Sequence, residues 1–163
     1  MHQRLSICAY TRDQWLRAID EMYRVLTPGG YAQLIETGPE WVSGPKTTRH
    51  FLLLDEFLES KGMLLRCGVY IADMLRAAGF LNVKCEEVVM SLGKWAGGDG
   101  VHGRNVTIGA MKGMRDSVIR AGGSGRFASA EEFDKAMEEI AEEWDNIEGS
   151  HTTARAFYGR KPL

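Results

Sequence analysis

The sequence has 163 residues, a formal net charge of −2 and ordinary apolar and charged fractions, enough for one globular domain with a sizeable core. That charge gives no basis for nucleic-acid binding. No apolar run approaches the roughly 20 residues that span a bilayer, and no signal-peptide pattern opens the chain. Cys8, Cys67 and Cys85 are an odd count without a C-x-x-C pair, so they read as buried thiols of a cytoplasmic protein rather than a disulfide frame or a zinc site.

Thr11-Arg-Asp-Gln14 has capping-box spacing and opens a helix whose buried stripe is Trp15, Ile19, Met22, Tyr23 and Leu26. Pro28-Gly29-Gly30 stops it, because proline cannot continue a helix and glycine accepts left-handed angles. Tyr31 to Glu36 is short and mostly apolar, as in a strand covered on both faces. A loop from Gly38 to Pro45 leads to a second helix, marked by His50, Phe51, Leu54, Phe57 and Leu58 and stopped near Gly62. A third helix covers 70–78, with Gly79 at its end and Phe80 beyond.

Val83 to Leu92 predicts a strand whose apolar phase shifts at Glu86-Glu87, which suggests a bulge. Gly93 to Gly103 predicts a glycine-rich loop. The Gly98-x-Gly100-x-x-Gly103 pattern within it lies too late in the chain for a dinucleotide site and is taken as flexible loop. Ile108, Met111, Met114 and Val118 mark a fourth helix ending at Gly122-Gly123, and its Gly109-x-x-x-Gly113 spacing suggests a close helix–helix approach. Ser129-Ala-Glu-Glu132 opens a fifth helix with the stripe Phe133, Met137, Ile140, Trp144 and Ile147. The acidic run Glu138, Glu139, Glu142 and Glu143 reads as its solvated face. Thr152 to Tyr158 closes the chain as a last strand. Helices and strands thus alternate in the manner of an α/β domain over residues 1–163, with no repeat or internal linker.

Three elements carry a resemblance. The run Glu21-Met-Tyr-Arg-Val-Leu-Thr-Pro28-Gly-Gly-Tyr-Ala-Gln-Leu-Ile-Glu36 is similar to the helix, Pro-Gly-Gly turn and fifth strand of class I S-adenosylmethionine-dependent methyltransferases. Leu75-Arg-Ala-Ala-Gly-Phe80 with Val83 resembles the helix leading into that family's sixth strand, and Phe157-Tyr-Gly-Arg-Lys-Pro162 the end of its last. The chain most resembles the C-terminal half of the fungal secondary-metabolism members. The resemblance implies a truncated Rossmann-like sheet of fifth, seventh and sixth strands, the last in sequence running antiparallel between the other two, with helices on both faces. It also places His2-Gln-Arg4 just past an absent fourth strand, leaving the fifth as an open edge.

The first strand, its Gly-x-Gly loop and the acidic residue for the ribose have no counterpart in these residues, so no cofactor-binding residue is assigned. S-adenosylmethionine (SAM) is expected to bind only if an N-terminal half or a partner chain completes the site. His2, His50, His102 and His151 lack metal-ligand spacing, and no metal is expected.

Ligands of such sheets sit at the carboxyl ends of the parallel strands. Glu36 and His50 are therefore the candidate catalytic acid–base residues, and His2, Arg4 and Trp41 the candidate substrate-binding ones. An Arg4–Glu36 ion pair is the structural alternative. Three functions remain open. The chain is the substrate-binding and dimer-forming half of a methyltransferase, a stand-alone pseudo-methyltransferase catalysing a cofactor-free cyclisation or isomerisation, or a non-catalytic interaction module. A small-molecule substrate and a homo-oligomer or completing partner are expected; nucleic acid and membrane are not.

Overall fold

The structure, a computed structural model, describes residues 1–6 and 9–163, with Ser124 described by its backbone alone. Cys8 lies outside the described residues. The elements are β1 (His2–Arg4), α1 (Arg12–Val25), β2 (Tyr31–Val42), α2 (Pro45–Glu59), α3 (Ile71–Ala77), β3 (Leu81–Ser91), α4 (Gly97–Arg120), α5 (Ala130–Asn146) and β4 (His151–Arg160). By contact density the chain divides into two compact units, residues 1–39, 54–89 and 153–163 in the first and 40–53 and 90–152 in the second.

The strands form one four-stranded sheet in the order β1-β2-β4-β3. β1 runs parallel to β2, with His2 opposite Gln33 and Arg4 opposite Ile35. β4 runs against β2: the Lys161 N–H reaches the Gly30 carbonyl, whereas Thr153 lies beside Gly38 and the Thr152 hydroxyl bonds the Glu40 carbonyl. It also runs against β3, since Gly159 packs on Phe80, Arg155 pairs with Glu87 and the Ser150 carbonyl accepts from the Leu92 N–H. The fold is α/β with a mixed, Rossmann-like sheet.

Two strand expectations need correction. His2–Arg4 is itself a strand, so β2 is not an open edge; three residues are too few for periodicity to reveal. Among the described residues the sheet edges are short β1 and β3. β2 also runs on through Gly38 and Pro39 to Val42 instead of ending at Glu36. The parity of the chain explains why proline is tolerated there. Backbone groups of Tyr31, Gln33 and Ile35 face β1, so residue 39 faces the same way, beyond the last β1 partner. No ladder bond is lost there. Along that stretch the turn Cys67–Val69 closes on β2: a Cβ on Gly68 would lie 2.5 Å from the Thr37 carbonyl oxygen.

In the first unit, Trp15, Ile19 and Met22 of α1 pack with Ala32 and Leu34 of β2, with Ile71, Met74 and Leu75 of α3, and with Phe157 of β4. Thr11 and Gln14 close the capping box that sets where α1 begins. β3 is exposed along most of its length, Val88 and Val89 by 59% and 60%. An edge strand with little buried on either face does not hold its apolar residues in one phase. Cys85 lies on it and is exposed, against the reading of buried thiols; Cys67 is buried.

In the second unit the expected glycine loop is mostly helix, since α4 starts at Gly97. The glycines serve close packing, which composition alone cannot distinguish from flexibility. A Cβ on Gly100 would strike the Gly93 carbonyl oxygen, one on Gly103 the Ser91 carbonyl, and one on Gly93, at φ +111°, the Trp144 carbonyl. The G-x-G-x-x-G pattern is therefore helix in contact with neighbouring backbone. Conversely, a Cβ on Gly109 or Gly113 would meet nothing within 4 Å, so this pair mediates no close helix contact.

These environments predict opposite signs for one substitution. Gly93→Ala should lower unfolding free energy by more than about 2 kcal/mol, because it combines a left-handed backbone with a backbone collision. Gly109→Ala, in an open position of α4, should raise it by about 0.5–1 kcal/mol. Urea denaturation of both variants measures the pair; equal effects would contradict the packing account.

Candidate functional site

Glu36 follows Ala32 and Leu34 on the core face of β2 and is fully buried. The Leu5 N–H bonds the Ile35 carbonyl, and Leu5 then turns left-handed at φ 53°. This reversal aims the Ser6 N–H at the Glu36 carboxyl, where it lies 2.9 Å from both oxygens. The Cys67 thiol lies 3.9 Å from Oε2. Burial lifts the carboxyl to about 7, against the opposing pull of the Ser6 N–H and then of Cys67. Nearby, the buried hydroxyl of Thr153 has no hydrogen-bond partner among the described residues and occupies the space that a side chain on Gly38 would fill.

The other two candidates in this unit do not join Glu36. His2 is exposed and its Nδ1 lies 2.9 Å from Gln33 Oε1. Arg4 is exposed, and among the described residues no ion pair links it to Glu36. The expected partner of the buried carboxyl is thus replaced by a backbone N–H. Sequence spacing could not show this, because it depends on the left-handed turn at Leu5.

Trp41 and His50 belong to the second unit. Trp41 stacks on Phe51, ring centroids 3.9 Å apart, and lies 6.4 Å from Trp144. His50 is 3% exposed, not a surface residue, and is enclosed by Phe51, Phe127 and Phe133 at 5.6, 6.4 and 6.3 Å. Among the described residues its Nδ1 has no hydrogen-bond partner. Burial, and then the positive charge of Arg126, lower the imidazole to about 4, so it is neutral at physiological pH. Arg126, which sequence reading missed, places its guanidinium carbon 5.0 Å from the Phe127 ring centroid, and its buried Nη1 has no hydrogen-bond partner among the described residues.

Glu143 corrects the reading of the acidic run as solvated. Its carboxylate accepts the Lys46 N–H at 2.9 Å, the Thr47 N–H at 2.8 Å and the Thr47 hydroxyl at 2.6 Å, and so closes the N-terminus of α2. The Thr47 hydroxyl in turn accepts from the Trp144 indole at 2.8 Å. Burial alone would raise the Glu143 carboxyl; the Thr47 and Lys46 donors outweigh it and hold the group below its ordinary value.

No protein-family model matches the chain. The N-methyltransferase sirN of Leptosphaeria maculans is 30% identical over 173 residues, covering 99% of this chain and 58% of that protein. The fold is methyltransferase-like. The chain spans little more than half the length of this curated relative. Among solved structures, Haemonchus contortus phosphoethanolamine N-methyltransferase 2 with S-adenosyl-L-methionine aligns at 14% identity and a TM-score of 0.48, covering 99% of this chain and 33% of that one. The cyclase SpnF aligns at 19% and 0.47, covering 99% of this chain and 48% of that one.

The methyltransferase-like fold raises SAM as a cofactor, and one glycine pattern can be tested against it. The glycine pattern that could have cradled it is helical and packed against the carbonyls of Ser91 and Gly93. Among the described residues, no cluster of three His, Cys, Asp or Glu could hold a metal ion, and no helix is long and apolar enough to cross a membrane.

Glu36 and His50 give opposite pH dependences of stability. Glu36 binds its proton more tightly when folded, so its contribution is present below pH 4.5 and is lost as pH rises through about 7. His50 binds its proton less tightly when folded, so its contribution is present above pH 6.5 and is lost as pH falls through about 4. Between pH 4.5 and 6.5 the two slopes oppose, each about 1.4 kcal/mol per pH unit at most. Melting temperatures of Glu36→Gln should therefore rise with pH over that interval, and those of His50→Leu should fall. Parallel profiles for the two variants would refute the assignment.

Proposed function

We propose that the chain is the acceptor-binding half of a SAM-dependent N-methyltransferase of fungal secondary metabolism, acting on a small amine. The observation that carries this reading is the similarity to an N-methyltransferase over 99% of the chain. SAM would supply an electrophilic methyl group, and its principal contacts come from residues other than those described, in a completing half or partner chain.

The contribution of the described residues lies at the carboxyl ends of the parallel pair β1 and β2, where ligands of such sheets sit. Glu36 fixes the Leu5–Ser6 turn at that end. It is the positioning residue for the acceptor, and with a carboxyl near 7 it is also poised to take up the proton that an alkylammonium acceptor must lose. The oligomer or completing chain attaches along the uncovered side of β3.

Calorimetric titration of the isolated chain with SAM should show no saturable binding in the micromolar range typical of substrates. Saturable binding there would overturn the proposed division of labour. Mixed with a separately expressed half carrying the acidic-x-Gly-x-Gly motif, the chain should direct label from methyl-labelled SAM into a small amine. Failure with a chain that is folded and associated would overturn the acceptor role. Glu36→Gln should reduce labelling about tenfold or more at pH 8. Because it removes a penalised charge, that loss would occur without a lower melting temperature.

A further inference from the structure

Among the described residues, three basic side chains of the second unit share an environment in which no carboxylate lies within ion-pair distance of either guanidinium. α2 carries Arg49, which is exposed, next to His50, which is 3% exposed with an unpartnered Nδ1. Arg126 follows the short turn Gly123–Gly125, with its guanidinium beside the Phe127 ring and Nη1 buried and unpartnered. His50 packs against the same Phe127 ring. The charges of Arg49 and Arg126 act on one another, and that of Arg126 on His50. Among the described residues neither guanidinium has a carboxylate within ion-pair distance. The acid nearest in effect is Glu139, which pairs with Lys46 at 3.9 Å.

Buried polar atoms are normally partnered, so two orphaned nitrogens in one cationic cluster require an explanation. A water molecule could satisfy the imidazole, but it would leave the part-buried guanidinium of Arg126 with only Glu139, already paired with Lys46, to offset its charge. Arginine cannot relieve that charge by losing its proton. An oxyanion meets both requirements, because its oxygens accept from a guanidinium and from a neutral imidazole N–H while supplying the missing charge. The rings of Phe127 and Phe133 provide an apolar wall for whatever carries it.

We propose that Arg49, His50 and Arg126 form a binding site for the oxyanion group, carboxylate or phosphate, of a small apolar or aromatic molecule. This site does not depend on the methyl-transfer reading. The imidazole acts there as a neutral donor.

The test is histidine-ring NMR of the intact chain titrated with benzoate and, separately, with inorganic phosphate at constant ionic strength. The His50 signals should shift saturably in the millimolar range, while those of exposed His2 and His102 stay in place. Stronger binding of benzoate identifies a carboxylate ligand, and stronger binding of phosphate a phosphorylated one. Arg126→Gln should raise the half-saturating concentration about tenfold. Arg49→Gln should raise it by a smaller factor, and as a change at an exposed position it preserves the test if Arg126→Gln does not fold. Arg120→Gln, which removes an exposed charge that acts on neither His50 nor Arg126, should change nothing. His50 signals that ignore both anions, or respond equally in the arginine variants and the wild type, would overturn the proposal.

Discussion

The end of β1 rests on one shared hydrogen bond. Leu5 must leave the parallel ladder in a left-handed conformation, which a leucine adopts at a cost of about 1 kcal/mol or more. The Ser6 N–H released by that turn would be an orphan donor if nothing met it. The buried carboxyl of Glu36 meets it with both oxygens, and the N–H in turn is the main group offsetting the burial of that carboxyl. Each half of the arrangement would be unfavourable alone. Downstream geometry depends on the same place. Cys67 comes against the carboxyl, Gly68 closes on the Thr37 carbonyl, and Gly38 leaves room for Thr153 from β4. Two glycines in and against one strand thus follow from how tightly its neighbours approach.

The second unit is held by an analogous device with the opposite electrostatic outcome. Glu143 also leaves water to meet backbone N–H groups, but three donors at the start of α2 converge on it, one of them the Thr47 hydroxyl. Its carboxylate is stabilised, whereas that of Glu36 is penalised. The difference lies in burial and donor count together. Glu36 is fully buried with few donors, whereas Glu143 is only partly buried and has three. A carboxylate remains charged at neutral pH when water or N–H and O–H groups supply its solvation.

Legibility in the sequence followed the length scale of each signal. α1 was readable in full, because its capping box and helical stripe are local and both are realised. α5 was readable for the same reason, although Ile147, expected to end its stripe, lies beyond the helix and is exposed, and Glu132 closes on the Ala128 N–H rather than on that of Ser129. The strand order β2-β4-β3 came through the resemblance, since nothing in the spacing of three short strands fixes which ones are neighbours. What failed was long-range. β1 is too short to show a period, and Pro39 within β2 depends on where its neighbour stops. The glycines before and within α4 look like loop because their true constraint, carbonyl oxygens of other segments, is absent from local sequence. Of the candidate residues, Glu36 and His50 are buried, while Arg126 and Glu143 had no local signature.

The chemistry open to Glu36 and His50 follows from what burial does to each. A group transfers protons efficiently when its pKa lies near the working pH. Burial moves the two residues in opposite senses relative to that condition. It brings the carboxyl to about 7, where it holds and releases a proton with nearly equal ease. It takes the imidazole to about 4, where a proton is held too weakly for His50 to act as a base at neutral pH. Of the two candidate acid–base residues, burial thus favours Glu36 over His50 as a proton acceptor at neutral pH. Glu36 is the residue suited to exchanging a proton. His50 is suited to remaining neutral and offering a fixed hydrogen bond. A neutral donor between aromatic rings beside a guanidinium recognises shape and charge without consuming a proton, which is the property required of a binding residue.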